Sequence, residues 1–309
     1  MADYVIYGKI IIDTIRLLNG VAVRGVLGGG GPQGAFGARV WDKSVGLLTR
    51  SGWDLDQSVI DNLYDLDVDL QGWVIYPALR TPRGTMEYDK NEYHQYTTKE
   101  IEPPPDLKTI VNRNIDIPPD YQDCKSIHLI TEFANEHMVK LALELKGKGA
   151  ILSLEPLILL NSTRSNAEEM LQFLPQVDIV TPDWPSASGI AGSDDPKKVL
   201  AFWSKLGPQC VAVRNGKHGS YVWDAEHDQM WHIPIIKIEA LDPTGCGNAY
   251  GGGFCVGWTR TRDALIAGCY GGISASFMAQ AVGCAVINPE IETQAQLLLD
   301  SLISRARPL

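Results

Sequence analysis

The segment Leu241-Asp-Pro-Thr-Gly-Cys-Gly-Asn-Ala-Tyr-Gly-Gly-Gly-Phe254 narrows the folds open to this chain more than any other. An extended stretch, Ile235 to Ala240, feeds it, and an apolar helical stretch follows. Gly245 and Gly247 let the backbone turn sharply and bring consecutive N–H groups towards one point. At a helix N-terminus such groups carry partial positive charge and favour a phosphate or another anion. Gly251, Gly252 and Gly253 would each cost a helix about 1 kcal/mol relative to alanine. Three in a row imply that a neighbouring backbone or a ligand comes close. A tight strand-to-helix turn without a ligand is the plainer alternative. A Walker A loop is excluded, because no Lys-Ser or Lys-Thr follows the glycines.

Around this segment, strands and helices alternate. Tyr4 to Ile12, Val45 to Leu48, Ser126 to Ile130, Ala150 to Leu154, Asp178 to Val180 and Cys210 to Val213 read as buried strands. Glu136 to Lys148 and Asp195 to Leu206 have helical spacing, the second stopped by Gly207-Pro208. This rhythm predicts an α/β fold with a mostly parallel sheet covered by helices on both faces. Two stretches break it. Residues 16–26 alternate apolar and polar side chains around Asn19-Gly20, a hairpin turn. Residues 71–88 are strand-rich around Pro77, Pro82 and Gly84. Neither is followed at once by a helix, so both are expected in a small flap beside the main sheet. Ile101 to Pro119 reads as a Pro-rich connection. With 309 residues and no repeat or low-complexity tract, one domain over 1–309 is expected.

A second glycine cluster, Gly28-Gly-Gly-Gly-Pro-Gln-Gly34, satisfies G-x-G-x-x-G through Gly29, Gly31 and Gly34, with Asp54 twenty residues beyond. Three features count against a dinucleotide fold. The cluster does not follow the first strand, Pro32 lacks the N–H that should face a pyrophosphate, and Asp54 lies past the end of its strand.

Composition sets the outer bounds. The 45% apolar and 21% charged residues are those of an ordinary globular protein. A net charge of −10 argues against nucleic acid as a partner. No run of about 18 apolar residues suggests a membrane span. The six cysteines form no C-x-x-C pair, so reduced thiols and a cytoplasmic setting are expected. The six histidines are scattered, and a solvated or core role is the expectation for each.

Asp242-Pro-Thr-Gly-Cys-Gly-Asn248 resembles the C-terminal signature of the ribokinase-like, PfkB-type carbohydrate kinases, usually Asp-Thr-x-Gly-Ala-Gly-Asp. The likeness spans nearly the whole chain. Tyr7-Gly8 to Asp13 is similar to the first strand with its sugar-binding aspartate, and Gly28 to Arg39 to the N-terminal Gly-Gly signature. Gly52-Trp-Asp54 resembles the family's Gly-x-Asp. The two irregular segments match its lid. Arg214-Asn-Gly-Lys-His-Gly219 resembles the turn before the nucleotide site, and Ser274 to Gly283 with Asn288 the region near adenine.

The resemblance implies a ribokinase-like three-layer sandwich with a small β-flap lid, and phosphoryl transfer from ATP with Mg²⁺ to a hydroxyl of a small polar, sugar-like or nucleoside-like metabolite. It implies that Gly245, Cys246, Gly247 and residue 248 form the catalytic turn, and that Asp13, Gly29, Gly30 and Gln33 hold the acceptor. Arg214, Gly216, Gly219, Asp242, Thr244 and Asn288 would surround the nucleotide, with Asp242 and Thr244 shaping a monovalent-cation or loop-ordering site. A homodimer through the lid is a further expectation.

Three positions depart from the pattern. The family's final Asp, which takes the proton of the attacking hydroxyl, is Asn248 here, and a carboxamide cannot serve as a carboxylate base. The family's Asn-x-x-Glu, which organises Mg²⁺, falls on Asp183-Trp-Pro-Ser186, leaving Asp183 as the candidate metal ligand. Gln33 replaces the usual Asn. Three functions remain open on these residues: an ATP-dependent phosphotransferase, a kinase-fold nucleotide-binding module without kinase activity, and a fold turned to another reaction.

Overall fold

The computed structural model describes residues 1–17, 19–88, 94–99, 109–110, 113–158 and 165–309. Most of the Pro-rich connection lies outside them. The strands are β1 (Tyr4–Tyr7), β2 (Ile11–Arg16), β3 (Ala22–Gly28), β4 (Val45–Gly52), β5 (Trp73–Tyr76), β6 (Arg83–Tyr88), β7 (His94–Lys99), β8 (Ser126–Thr131), β9 (Ile151–Pro156), β10 (Ile179–Val180), β11 (Cys210–Arg214), β12 (Ser220–Asp224), β13 (Gln229–Ile233) and β14 (Arg307–Pro308). Among the described residues they form two sheets. The larger runs β5-β4-β1-β8-β9-β10-β11-β12-β13-β14. From β5 to β11 every pairing is parallel, and from β11 onward every pairing is antiparallel.

Side chains alternate across the strands and feed two cores. Tyr4 and Ile6 of β1 point into one, Val5 and Tyr7 into the other. The first core is closed by α1 (Gly31–Arg39) and α2 (Gln57–Tyr64), and on the same face by three later helices. The second is closed by α3 (His137–Gly147), α4 (Ala167–Phe173), α5 (Trp184–Ala191) and α6 (Pro196–Trp203). The later helices on the first face are α7 (Cys246–Thr261), α8 (Ala264–Met278) and α9 (Ile291–Arg305). Helices on both faces of a mainly parallel sheet give three layers, as the rhythm of the sequence predicts.

The three consecutive glycines of α7 owe their place to packing in three directions. A Cβ at Gly251 would come within 2.8 Å of Glu155 Oε2 and 2.6 Å of His128 Nε2, in the sheet below. One at Gly252 would overlap the carbonyl of Gly34 in α1, and one at Gly253 the hydroxyl of Ser274 in α8. The helix lies against the sheet and two helices at backbone distance.

The smaller sheet, β3-β2-β6-β7, is the flap. The hairpin between β2 and β3 turns at Asn19-Gly20, where Leu17 N donates to Val21 O at 2.9 Å and Val21 N to Asn19 Oδ1 at 3.0 Å. Two expectations change. The apolar run from Tyr4 to Ile12 is two strands in two sheets, because the chain leaves the main sheet at Gly8, which has no room for a side chain against Gly31. The segment 71–88 also divides. Trp73–Tyr76 pairs with β4 at the edge of the main sheet, and only Arg83–Tyr88 joins the flap. Asp54, the acid of the apparent dinucleotide spacing, accepts from Thr81 N and Arg83 Nη1, both at 2.7 Å, and so anchors the base of the flap.

Candidate active site

The parallel strands β1, β8, β9 and β11 end on one rim of the sheet, and Lys9, Glu132, Glu155 and Arg214 stand there. In sheets of this kind ligands bind outside the carboxyl ends of the strands. Both glycine clusters arrive at this rim. Gly245 is the N-cap of α7 at φ 78°, a left-handed conformation that glycine adopts without strain. Gly30 is the N-cap of α1 at φ 89°. A Cβ on Gly30 would lie 3.2 Å from Asn248 Nδ2, and one on Gly245 would overlap the side chain of Gln33. The fold thus sets the starts of α1 and α7 side by side.

Cys246, Gly247 and Asn248 form the first turn of α7, where helix geometry leaves backbone N–H groups without partners inside the helix. Burial, with neighbouring Asp242, pushes the Cys246 thiol up to about 12, so this side chain is no nucleophile near neutral pH. The Cys246 backbone N–H donates to Pro243 O at 3.2 Å. Arg214 Nη1 lies so close to Gly247 that a Cβ there would overlap it. The guanidinium donates to Glu155 Oε1 at 2.8 Å, while its buried Nε has no hydrogen-bond partner. Asn248 Nδ2 donates to the same Glu155 oxygen at 2.9 Å.

Glu155 has only 1% of its surface exposed. Burial opposes its ionisation, but Arg214 and His128 outweigh this and hold the carboxyl below the usual glutamate range. Its Oε2 faces His128 Nε2 at 3.7 Å without a hydrogen bond, and His128 Nδ1 pairs with Ser153 Oγ at 2.8 Å. Sequence reasoning missed Glu155. The available signal was an acid inside the apolar run 151–160.

The loop before α7 is ordered by Asp242, which is fully buried. Its Oδ1 accepts from Thr244 N at 2.9 Å and Thr244 Oγ1 at 2.6 Å, and its Oδ2 from Gly283 N at 2.9 Å. The Thr244 hydroxyl also meets that of Tyr88, at the end of flap strand β6, at 2.6 Å. Tyr88 was not among the expected site residues.

Asp13, expected to hold an acceptor, lies in β2 with 4% exposure, its carboxylate over the backbone of Gly28. Its buried Oδ1 has no hydrogen-bond partner. Burial, with Asp242 adding to it, pushes the carboxyl up to about 7. Gly29 packs on the carbonyl of Lys9, and Lys9 forms a buried ion pair with Glu132 beside it. Gln33, expected to bind the acceptor, is largely committed elsewhere. Its Oε1 accepts from Gly30 N at 3.0 Å and its Nε2 donates to Leu27 O at 3.2 Å, so it holds the glycine loop in shape.

Other expected residues have local roles. Gly216 and Gly219 close the turn between β11 and β12, where Asn215 N donates to Gly219 O at 2.7 Å. Asn288 is exposed, and its Oδ1 accepts from Glu290 N at 2.9 Å ahead of α9. Asp183 stands at the N-cap position of α5 and its backbone bridges to Arg214, which puts it at the strand ends. Among the described residues no group of three or more His, Cys, Asp or Glu could hold a metal. One carboxylate suits a Mg²⁺ that arrives with nucleotide phosphates and keeps its waters. Among the described residues no helix is long and apolar enough to cross a membrane.

Comparison with known proteins agrees with this geometry. The chain is 28% identical over 264 residues to the cytidine kinase of Thermococcus kodakarensis, covering 85% of this chain and 90% of that protein. A ribokinase II from E. coli, solved with ATP and Mg²⁺, superposes with a TM-score of 0.75 at 18% identity over 99% of this chain and 100% of that one. A Vibrio cholerae fructokinase, solved with fructose, ADP and potassium ion, gives 0.74 at 15% identity over 98% of each chain. Residues 1–291 match the family described as pfkB family carbohydrate kinase. The chain belongs to the pfkB family of carbohydrate kinases.

Proposed function

We propose that the protein is an ATP-dependent phosphotransferase acting on a hydroxyl of a small polar metabolite, nucleoside-like or sugar-like. The observation that carries this reading is the first turn of α7. There the helix N-terminus and the guanidinium of Arg214 stand beside Asn248 and directly across from the Gly29-Gly30 loop. A transferring phosphoryl group needs positive charge around its oxygens and an acceptor held in line, and needs little else from the protein. The backbone N–H groups of Gly245, Gly247 and Asn248, with Arg214, supply the charge. Asp13 and the Gly29-Gly30 loop hold the acceptor. The cytidine kinase relative, matched over most of both chains, favours a nucleoside-like acceptor.

The turn of Gly216 and Gly219, the Asp242–Thr244 loop and Asn288 would border the nucleotide. Asp183 would hold Mg²⁺ through water, and the metal would neutralise phosphate charge. The oxygens of Asp242 are occupied by Thr244 and Gly283, which favours the loop-ordering role over direct cation binding.

A second reading, nucleotide binding without transfer, is favoured by the lack of a carboxylate at both 248 and 186. Calorimetric titration with ATP and Mg²⁺ separates both readings from a site elsewhere. Binding is expected, and Gly247→Val, which drives a side chain into Arg214, is expected to abolish it. No binding by the wild-type protein would remove both readings.

A further inference from the structure

Resting on the phosphotransferase reading, we propose that the carboxylate absent from position 248 has been relocated to Glu155, which serves as the positioning residue of the transfer site. Asn248 and Glu155 meet from elements far apart in the chain, α7 and the end of β9, at 2.9 Å. A carboxylate oxygen can only accept, so the Asn248 amide must turn its nitrogen to Glu155 and leave its own oxygen for a ligand hydroxyl. Ionised aspartate at 248 could not make this contact. Two carboxylates at that distance cannot both stay ionised, and one would take up a proton. Amide at 248 with acid at 155 is therefore equivalent in charge and hydrogen bonding to the reverse pair.

Stability does not explain the acid. Sealing an ionised carboxylate from water costs several kcal/mol, and an apolar side chain of similar size is often as stable. Arg214 and His128 together offset that cost, and Arg214 itself sits over Gly247 at the first turn of α7. Glu155 thus fixes two groups at once: the amide that faces the acceptor and the guanidinium that faces the phosphate. Of the other buried acids of the region, Asp13 lies in the flap, Asp242 in the loop before α7, and Glu132 is paired with Lys9.

In the transfer, the acceptor oxygen bonds to the γ-phosphorus as the bond to the β,γ-bridging oxygen breaks, its electron pair leaving with ADP. The hydroxyl proton passes to an oxygen of the transferred phosphoryl group and then to solvent. Glu155 stays ionised throughout. Its charge stabilises the positive charge that builds on the attacking oxygen before the proton leaves, and the amide oxygen of Asn248 aims that oxygen.

The test is a cycle of Glu155→Gln, Asn248→Asp and the double variant, with ATP binding and thermal unfolding measured beside turnover. Glu155→Gln is expected to lower kcat by about 10²-fold with the KM for ATP within about threefold, and to remove the acid limb of the kcat–pH profile. Asn248→Asp alone is expected to lower kcat as well, through like-charge repulsion. The double variant is expected to exceed the weaker single by about tenfold or more. If Glu155→Gln does not fold, Glu155→Asp and the double variant carry the test: both should retain the acid limb. Turnover of folded Glu155→Gln within about threefold of wild type, or a double variant no better than the weaker single, overturns the relocation while leaving the phosphotransferase reading in place. A wild-type protein that transfers phosphate to no acceptor overturns both.

Discussion

The hydroxyl of Tyr88 lies 2.6 Å from that of Thr244, which joins the last residue of flap strand β6 to the loop that leads into α7. The flap and the loop before α7 are therefore linked by a hydrogen bond as well as by packing of Val26 in the flap against Gly283. Loss of one such bond is worth about 0.5–1.5 kcal/mol. Tyr88→Phe is expected to loosen the flap, raising KM for the acceptor by about 2- to 10-fold and speeding amide exchange in β2 and β6 but not in β8 or β9. Hydrogen exchange with and without acceptor checks this. Unchanged exchange in the flap would mean that the contact does not hold it.

In the proposed site, Asp13 would link acceptor binding to pH. In an unfolded chain its carboxyl titrates near 3.8, whereas burial, with Asp242, pushes it up to about 7 in the fold. Between these values the folded state binds the extra proton, so this group's contribution to stability falls as pH rises from about 4 to 7 and stays low above. Asp13→Asn is expected to be more stable than wild type at pH 8, by on the order of 4 kcal/mol at most, with the gain shrinking towards pH 4. The acceptor's hydroxyls need the ionised form, so wild-type KM for the acceptor should rise as pH falls below about 7. Urea unfolding and steady-state kinetics over pH 5–9 measure both. A KM independent of pH, with Asp13→Asn no more stable at pH 8, would place Asp13 outside the acceptor site.

The glycines of the two sides of the sheet separate packing from propensity. Alanine at Gly252 would put a methyl group into the carbonyl of Gly34, and overpacking of this kind costs about 1–3 kcal/mol. Gly147, in the last turn of α3, has nothing within 4 Å of its added Cβ. Gly147→Ala is expected to gain roughly 0.5–1 kcal/mol from helix propensity alone. Denaturant midpoints for the two variants should move in opposite directions. Movement in the same direction would contradict the close approach of α1 and α7.

Much of this architecture is legible in the sequence, for identifiable reasons. Buried parallel strands such as Ser126–Thr131 and Ile151–Pro156 are short apolar runs bounded by turns, and the Asn19-Gly20 hairpin carries its own turn chemistry. The break at Gly8 is not legible, because apolar runs flank Gly8-Lys9 on both sides and contact with Gly31 requires the break. Trp73–Tyr76 reads as flap for want of a following helix, but pairing with β4 decides its sheet. The candidate site shows the same limit. Gly245, Gly247 and Asn248 stand in one local signature, whereas Glu155 gains its meaning from Arg214 and Asn248, partners 59 and 93 positions away. Gln33 stands in the acceptor signature, yet its amide shapes the loop around Gly30.

The most direct measurement follows the γ-phosphate of labelled ATP, with Mg²⁺, across a panel of nucleosides, sugars and small alcohols. The expected result is label on one class of acceptor, matched one-to-one by ADP, and lost in Gly247→Val. Label that leaves ATP for no acceptor, at saturating ATP that calorimetry shows to be bound, would contradict the phosphotransferase reading.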